Sequence, residues 1–181
     1  MVVLAVAGIT AFAVSSGDDT SATSSGRVAG CDASAVGTGH ALTVGKAIPT
    51  FTLPTLDGRC LRLDAYRGRP IVINFWASWC NPCRREFPLF HDARASHRSD
   101  HLEIIGVTHE DIASDARHFA SQRGADWPLA NDADNVVGKA FGVVGIPQTF
   151  FVAADGTLEA HLYGLTSRRQ LDHEITRLLQ R

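Results

Sequence analysis

Cys80 and Cys83 are separated by two residues in the segment WASWCNPC (residues 76–83). The segment follows an apolar run that reads as a buried strand and opens a stretch with helical spacing. A cysteine in the first turn of a helix lies beside backbone N–H groups that have no partner within the helix, and those donors, with the helix dipole, favour thiolate over thiol. Thiolate is the species that attacks disulfides, and in a C-x-x-C unit at a helix N-terminus its pKa can fall to about 3.5–7.5. Cys80 is therefore read as an accessible nucleophile. Cys83, one turn further along the same helix face, is read as the resolving thiol that displaces whatever Cys80 has captured.

A C-x-x-C is also half of a zinc site, but zinc requires about four ligands and no second C-x-x-C is present. His97 and His101 have ligand spacing, yet they fall in a polar stretch that reads as a loop after the helix. No metal is expected at the cysteines, and no cofactor. The other two cysteines, Cys31 and Cys60, stand alone. A further feature is Gly145-Ile146-Pro147-Gln148-Thr149-Phe150, where a proline introduces a strand. Proline deprives a ladder of a donor, so it belongs at the strand's edge or first position.

The elements that position these residues follow from periodicity and punctuation. Residues 70–76 (PIVINFW) form a β-branched and aromatic run of the kind found in a central strand buried on both faces. Helical spacing over residues 80–96 places Phe87, Phe90 and Ala93 on one side, and residues 102–107 read as the next strand, so a right-handed parallel crossover is expected. Residues 112–123 and 135–141 read as helices; residues 149–153 and 157–163 read as strands joined at Asp155-Gly156. Residues 167–180 form an amphipathic closing helix behind a Ser N-cap. Upstream, residues 50–53 and 60–63 flank Asp57-Gly58 as an N-terminal β-hairpin. The fold class is α/β: a central mixed β-sheet flanked by helices.

The chain has 181 residues, 45% of them hydrophobic and 20% charged, which suits one ordinary domain plus extensions. Seventeen Lys and Arg against nineteen Asp and Glu give a net charge of −2 with no basic run, which argues against nucleic acid as a partner. Residues 1–14 are apolar and uncharged, shorter than the roughly 20 residues that span a bilayer, and resemble a signal peptide core or an anchor. The polar tract that follows is low in hydrophobicity and reads as a tether. The expected organisation is a signal or anchor at 1–14, a flexible linker at 15–41 and one domain at 42–181.

WASWCNPC after an apolar strand, with GIPQTFFV some sixty residues later, resembles the thioredoxin superfamily. The preceding IPTFTLPTLDG and LRLDAYRGRPIVINFW narrow the resemblance to its membrane-tethered, extracytoplasmic branch, that of the TlpA, ResA and CcmG (DsbE) proteins. It covers roughly residues 44 to 179. It implies a thioredoxin-like fold with Cys80 and Cys83 as the redox pair and Pro147 as the family's cis-proline. Trp79, Ile146 and Pro147 would meet the client, Ile146 offering backbone groups to an extended segment. Glu86 matches an acidic position of this branch, and Glu110 lies in the loop where reductive members place an acid near the cysteines; either would move protons during exchange, although each also reads as an ordinary surface charge. Asn74 stands where cytoplasmic thioredoxin has a buried Asp, so proton handling passes to water, Glu86 or Glu110. Some relatives carry a second cysteine pair, which would join Cys31 to Cys60 as a structural disulfide; a free buried Cys60 and a flexible Cys31, or one lipidated within the lipoprotein-like box Val28-Ala29-Gly30-Cys31, is the other reading.

The implied activity is that of an extracytoplasmic protein-disulfide oxidoreductase of the cell envelope. It would act as a monomer, held by its N-terminal segment or released after cleavage, with electrons from a CcdA- or DsbD-like membrane thiol donor. Clients such as apocytochrome c would be reduced. Three alternatives remain: a dithiol oxidase acting in the opposite direction; a thiol peroxidase, whose Pro-x-x-x-Thr/Ser-x-x-Cys context neither Cys80 nor Cys83 matches; and a copper-binding assembly factor using His109, whose relatives space their cysteines C-x-x-x-C.

Overall fold

The computed structural model describes residues 31–37 and 42–181. The apolar run 1–14 and the tether up to Gly30 lie outside the described residues. Within residues 31–37, part of the stretch read as linker, the chain forms a short strand, β1 (Ser34–Val36), which pairs antiparallel with β2 (Thr50–Pro54). β2 turns at Asp57-Gly58 and pairs with β3 (Cys60–Arg62), so the expected hairpin is the core of a three-stranded antiparallel sheet. The strand expected over 60–63 stops at Arg62, where a single 3-10 turn, Leu63–Tyr66, buries Leu63 and leads toward the main sheet.

β4 (Ile71–Trp76) is buried at every position because it has a strand on either side and packed layers above and below. The chain continues through α1 (Asn81–Ser96), β5 (Glu103–Thr108), α2 (Ala113–Gln122), β6 (Leu129–Ala130), α3 (Val136–Phe141), β7 (Gln148–Val152), β8 (Leu158–Tyr163) and α4 (Arg168–Leu179). The main sheet has the order β6-β5-β4-β7-β8, with β4 parallel to β5 and antiparallel to β7. β6 is two residues long and β1 three, too short for any periodicity to show them in the sequence.

Alternation along β4 sorts the core. Val72 and Trp76 point to the face that α1, α2 and α4 cover; Ile71, Ile73 and Phe75 point to the face covered by α3 and the small sheet. Aromatic rings interlock in both layers. Trp76, Phe87, Phe119 and Trp127 pack on the first face with centroids 4.8–5.5 Å apart. Phe51, Phe75, Phe141 and Phe150 pack on the second at 5.3–5.9 Å. Each such pair adds about 0.5–1.5 kcal/mol beyond the area it buries. Gly106 of β5 is obligatory here: a Cβ would lie 2.6 Å from a Leu129 methyl and 2.8 Å from the Trp76 indole nitrogen.

The N-terminal extension also closes both edges of the main sheet, which would otherwise expose unpaired backbone groups. On the β6 side, Leu56 N donates to Leu129 O at 2.8 Å and Asn131 N to Pro54 O at 2.7 Å. On the β8 side, Gly45 N donates to Leu158 O at 2.8 Å and Leu158 N to Lys46 O at 2.9 Å. At the C-terminus, a reciprocal capping box between Ser167 and Gln170 starts α4, whose Leu171, Ile175 and Leu178 are buried. Among the described residues no helix is long and apolar enough to cross a membrane.

Candidate active site

β4 delivers the chain to a turn at its C-terminal end, and α1 begins directly after it. Cys80 is the N-cap of α1, in extended backbone, with Pro82 in the first turn where its missing N–H costs nothing. The Cys80 sulfur accepts a hydrogen bond from Cys83 N at 3.2 Å, so it sits where the helix presents unpaired donors. Cys80 and Cys83 are joined in a disulfide with their Cα atoms 5.3 Å apart. The access expected for Cys80 is narrow in this oxidised state: it is 4% exposed and Cys83 is fully buried. Trp79, just before it, is 58% exposed and stands at the rim.

The turn that carries Trp79 and Cys80 is held by the loop after β5. Asp111, almost fully buried, accepts from Ser78 N at 2.5 Å and Ser78 Oγ at 2.9 Å, and also from Ile112 N at 2.9 Å. The Trp79 indole N–H donates to Glu110 O at 3.3 Å, and Arg84 reaches back to Ser78 O at 3.1 Å. Glu110 adopts a left-handed backbone, φ +50°, and its carboxylate accepts from Asn135 Nδ2 at 3.1 Å; Asn135 is itself left-handed, φ +54°. The acid that bonds the cysteine-bearing turn through its side chain is thus Asp111, one residue beyond the Glu110 singled out in the sequence.

Glu86 lies one turn after Cys83 on α1 and is completely buried. Thr166 N donates to its Oε1 at 2.6 Å, and Asn74 Nδ2 approaches Oε2 at 3.4 Å while also donating to Thr149 Oγ1 at 3.1 Å. Burial pushes the Glu86 pKa up from 4.5 to about 7, against the pull of the Thr166 and Asn74 hydrogen bonds. A carboxyl with such a pKa can take or give a proton at neutral pH.

The Ile146–Pro147 peptide bond is cis. The register Phe75↔Gln148 puts Pro147 level with Trp76, at the end of β4 from which the cysteine turn emerges. Pro147 O accepts from Gly164 N at 2.9 Å. The preceding loop is braced by Gln148, whose Nε2 donates to Gly145 O at 2.7 Å and whose Oε1 meets His161 Nε2 at 2.9 Å. Ile146 is partly buried against both core layers. Asp111, Gln148 and His161 were not among the residues singled out from sequence, because a polar residue in a loop or strand carries no spacing signal of its own.

Cys31 and Cys60 form a second disulfide, Cα–Cα 5.7 Å, linking the buried Cys31 to the exposed first residue of β3. His109 is buried and its Nδ1 has no hydrogen-bond partner among the described residues. Among those residues no group of three or more His, Cys, Asp or Glu side chains is arranged to hold a metal ion. His97 bonds Asp100 at 2.8 Å, on the surface after α1.

The sequence pattern of the AhpC/TSA family matches residues 44–161. A thiol-disulfide oxidoreductase ResA from Geobacillus thermodenitrificans is 30% identical over 135 residues, covering 75% of this chain and 78% of that protein. Among solved structures, a Chlorobium tepidum protein described as a thiol:disulfide interchange protein DsbE superposes with a TM-score of 0.72 at 27% identity, covering 77% of this chain and 99% of that one. A secreted Mycobacterium tuberculosis disulfide oxidoreductase, described as homologous to E. coli DsbE, gives 0.66 at 26% identity, covering 71% and 96%.

Proposed function

This chain belongs to the AhpC/TSA family and is a thiol–disulfide oxidoreductase of ResA/DsbE type, and we propose that Cys80 and Cys83 are its redox pair and that it reduces disulfides in client proteins outside the cytoplasm. The observation that carries this reading is the Cys80 sulfur at the N-terminus of α1, accepting the Cys83 N–H. That position stabilises negative sulfur, as nucleophilic attack and leaving both require.

In the reductive direction, the Cys80 thiolate attacks one sulfur of a client disulfide. A mixed disulfide forms, and the other client sulfur leaves as a thiolate that takes a proton from water. Cys83 then loses its proton and attacks the Cys80 sulfur, so the Cys80–Cys83 disulfide forms and the second client sulfur departs as a thiolate that also takes a proton from water. Two electrons and two protons have passed to the client. Glu86 is the proton acceptor for Cys83: both are buried, one helical turn apart, and Glu86 ionises near neutrality. Trp79, Ile146 and Pro147 form the contact surface for an extended client segment. Asp111 holds the cysteine turn, whereas the Glu110 carboxylate is engaged with Asn135 and acts through the backbone carbonyl that receives Trp79.

The N-terminal segment 1–14 serves as export signal or anchor and the stretch after it as a tether, which suits an envelope protein recharged by a membrane thiol donor. The similar M. tuberculosis oxidoreductase is a secreted protein, which supports that location. Apocytochrome c awaiting haem is the client class that the resemblance favours, and the domain acts as a monomer. Direction is tested by the reduction potential of the Cys80–Cys83 couple. A value near about −270 mV supports a reductase, and one near about −120 mV a dithiol oxidase. Trapping with Cys83→Ala, followed by mass spectrometry of proteins captured on Cys80, identifies the clients.

A further inference from the structure

Gln148 is the first residue of β7, directly after the cis-proline, and only 2% exposed. A buried primary amide is costly unless both ends are satisfied. Here both are: Nε2 donates to Gly145 O at 2.7 Å, and Oε1 lies 2.9 Å from His161 Nε2. Gly145 and Gln148 flank the Ile146–Pro147 pair, so this side chain ties the two ends of the loop together from beneath.

His161 completes the brace. Its ring stacks on Phe150 at 3.8 Å and 19°, and contacts Tyr163 at 3.9 Å. Burial holds its pKa down to about 4, so the imidazole is neutral at ordinary pH, and its single N–H belongs on Nε2, where Gln148 Oε1 can accept it. The amide at 148 receives from His161 and donates to Gly145 at once. A carboxylate accepts only, and an aliphatic side chain does neither. The loop's other tie, Gly164 N to Pro147 O, is backbone to backbone and does not depend on side-chain identity. Outward from the brace, two apolar side chains are strongly exposed: Val144, beside Gly145, at 92%, and Tyr163, paired with Gln148 across the strands, at 73%.

We propose that Gln148 and His161 are positioning residues that hold the 145–147 loop in the shape that receives an extended, apolar client segment, so that they set affinity for protein disulfides rather than the reactivity of the cysteine pair. This rests on the functional reading above, in which that loop contacts the client.

The test compares two substrates on the intact protein: insulin, a polypeptide disulfide, and cystamine, a small disulfide with no peptide to lie along the loop. Gln148→Glu removes the donor to Gly145, and His161→Phe keeps the stack on Phe150 but removes the donor to Gln148. Each should raise KM for insulin about tenfold, the effect of losing one buried hydrogen bond, and change the cystamine rate by less than about twofold. His161→Gln, which restores an N–H donor, should return KM toward the parent value. A parallel fall with both substrates, or an unchanged KM for insulin in a folded His161→Phe protein, overturns the inference. If the parent protein shows no Cys80-dependent reduction of insulin, the functional reading fails and this inference with it; a parent that is active beside variants that match it defeats this inference alone.

Discussion

Cys80 and Cys83 are three residues apart on one helix, buried in the layer beneath α1, with a helix N-terminus directed at the first sulfur. Cys31 and Cys60 are 29 residues apart and join the first residue of β3 to a segment ahead of β1, and neither lies within a helix. The bond is the same in both places, but what surrounds it differs. The first pair closes almost no chain, so its oxidation adds little constraint, while its setting favours the thiolate on which exchange depends. The second closes a long loop and draws no help from a helix, so its value is conformational: it pins β1 against β2, the strand that carries Phe51 and Leu53 into the core. On the proposed reading, the first disulfide is the one that exchanges and the second the one that persists.

Exchanging sulfur for oxygen separates the two disulfides by the largest effect. Cys80→Ser should lower insulin reduction by at least about 10³-fold, since no other group can take over an attacking thiolate, with the thermal unfolding midpoint little changed. Cys60→Ser should do the reverse: activity persists at moderate temperature, while unfolding free energy drops by about 3–4 kcal/mol, the constraint expected for a loop of this length. Denaturant titration beside a kinetic assay separates the two. The contrast fails if Cys60→Ser abolishes activity in a folded protein.

A graded redox titration distinguishes the same two disulfides. With increasing dithiothreitol, alkylation and mass mapping should find Cys80 and Cys83 labelled well before Cys31 and Cys60.

Glu86 gives a pH signature that belongs to the first pair's surroundings alone. Its folded pKa, about 7, lies above the 4.5 of an exposed carboxyl, so the folded state holds a proton that the unfolded chain has released. Stability from this group is complete below pH 4.5 and is lost as pH rises toward 7, at up to ~1.4 kcal/mol per pH unit. Glu86→Gln should remove that slope, measured as the difference between unfolding free energies of parent and variant from pH 4.5 to 7.

The smallest expected effect is at the cysteine turn. Asp111→Asn keeps the size and one acceptor but places an amide where Ser78 N needs a carboxylate oxygen. Exchange with insulin should fall by roughly tenfold or less, because Asp111 holds the turn without touching the reacting sulfurs, and Ser78 Oγ and Ile112 N keep an acceptor. Glu110→Gln, whose carboxylate only receives Asn135, should fall by less.

Much of this was legible in the residues. PIVINFW could hardly be other than a central strand, and the apolar stripe through Phe87, Phe90 and Ala93 set the inner face of α1. Glu86 is on that same stripe, at i+3 from Cys83 and i−4 from Phe90, and is buried with it, which overturns the reading of this carboxylate as an ordinary surface charge. What spacing could not reveal was the local reversal at Glu110. A left-handed backbone is uncommon for Glu; Glu110 meets the cysteine turn only through its carbonyl, and the side-chain contact falls to the next residue, Asp111. Nor does any pattern mark Gln148 and His161, which are polar residues in β-strands until the pairing of β7 with β8 puts them together. β1 lay hidden for a simpler reason: three residues held by pairing with β2 and a nearby disulfide need no propensity of their own.

Every step proposed for this site requires an ionised, nucleophilic Cys80 sulfur, and that ionisation can be measured. It is tested most directly by following alkylation of the fully reduced protein against pH, with each cysteine resolved by mass spectrometry. Cys80 should be modified first, with a midpoint clearly below the ~8.5 of a free thiol, and Cys83 should lag behind it. A Cys80 midpoint at or above that value, or prior modification of Cys83, would contradict it.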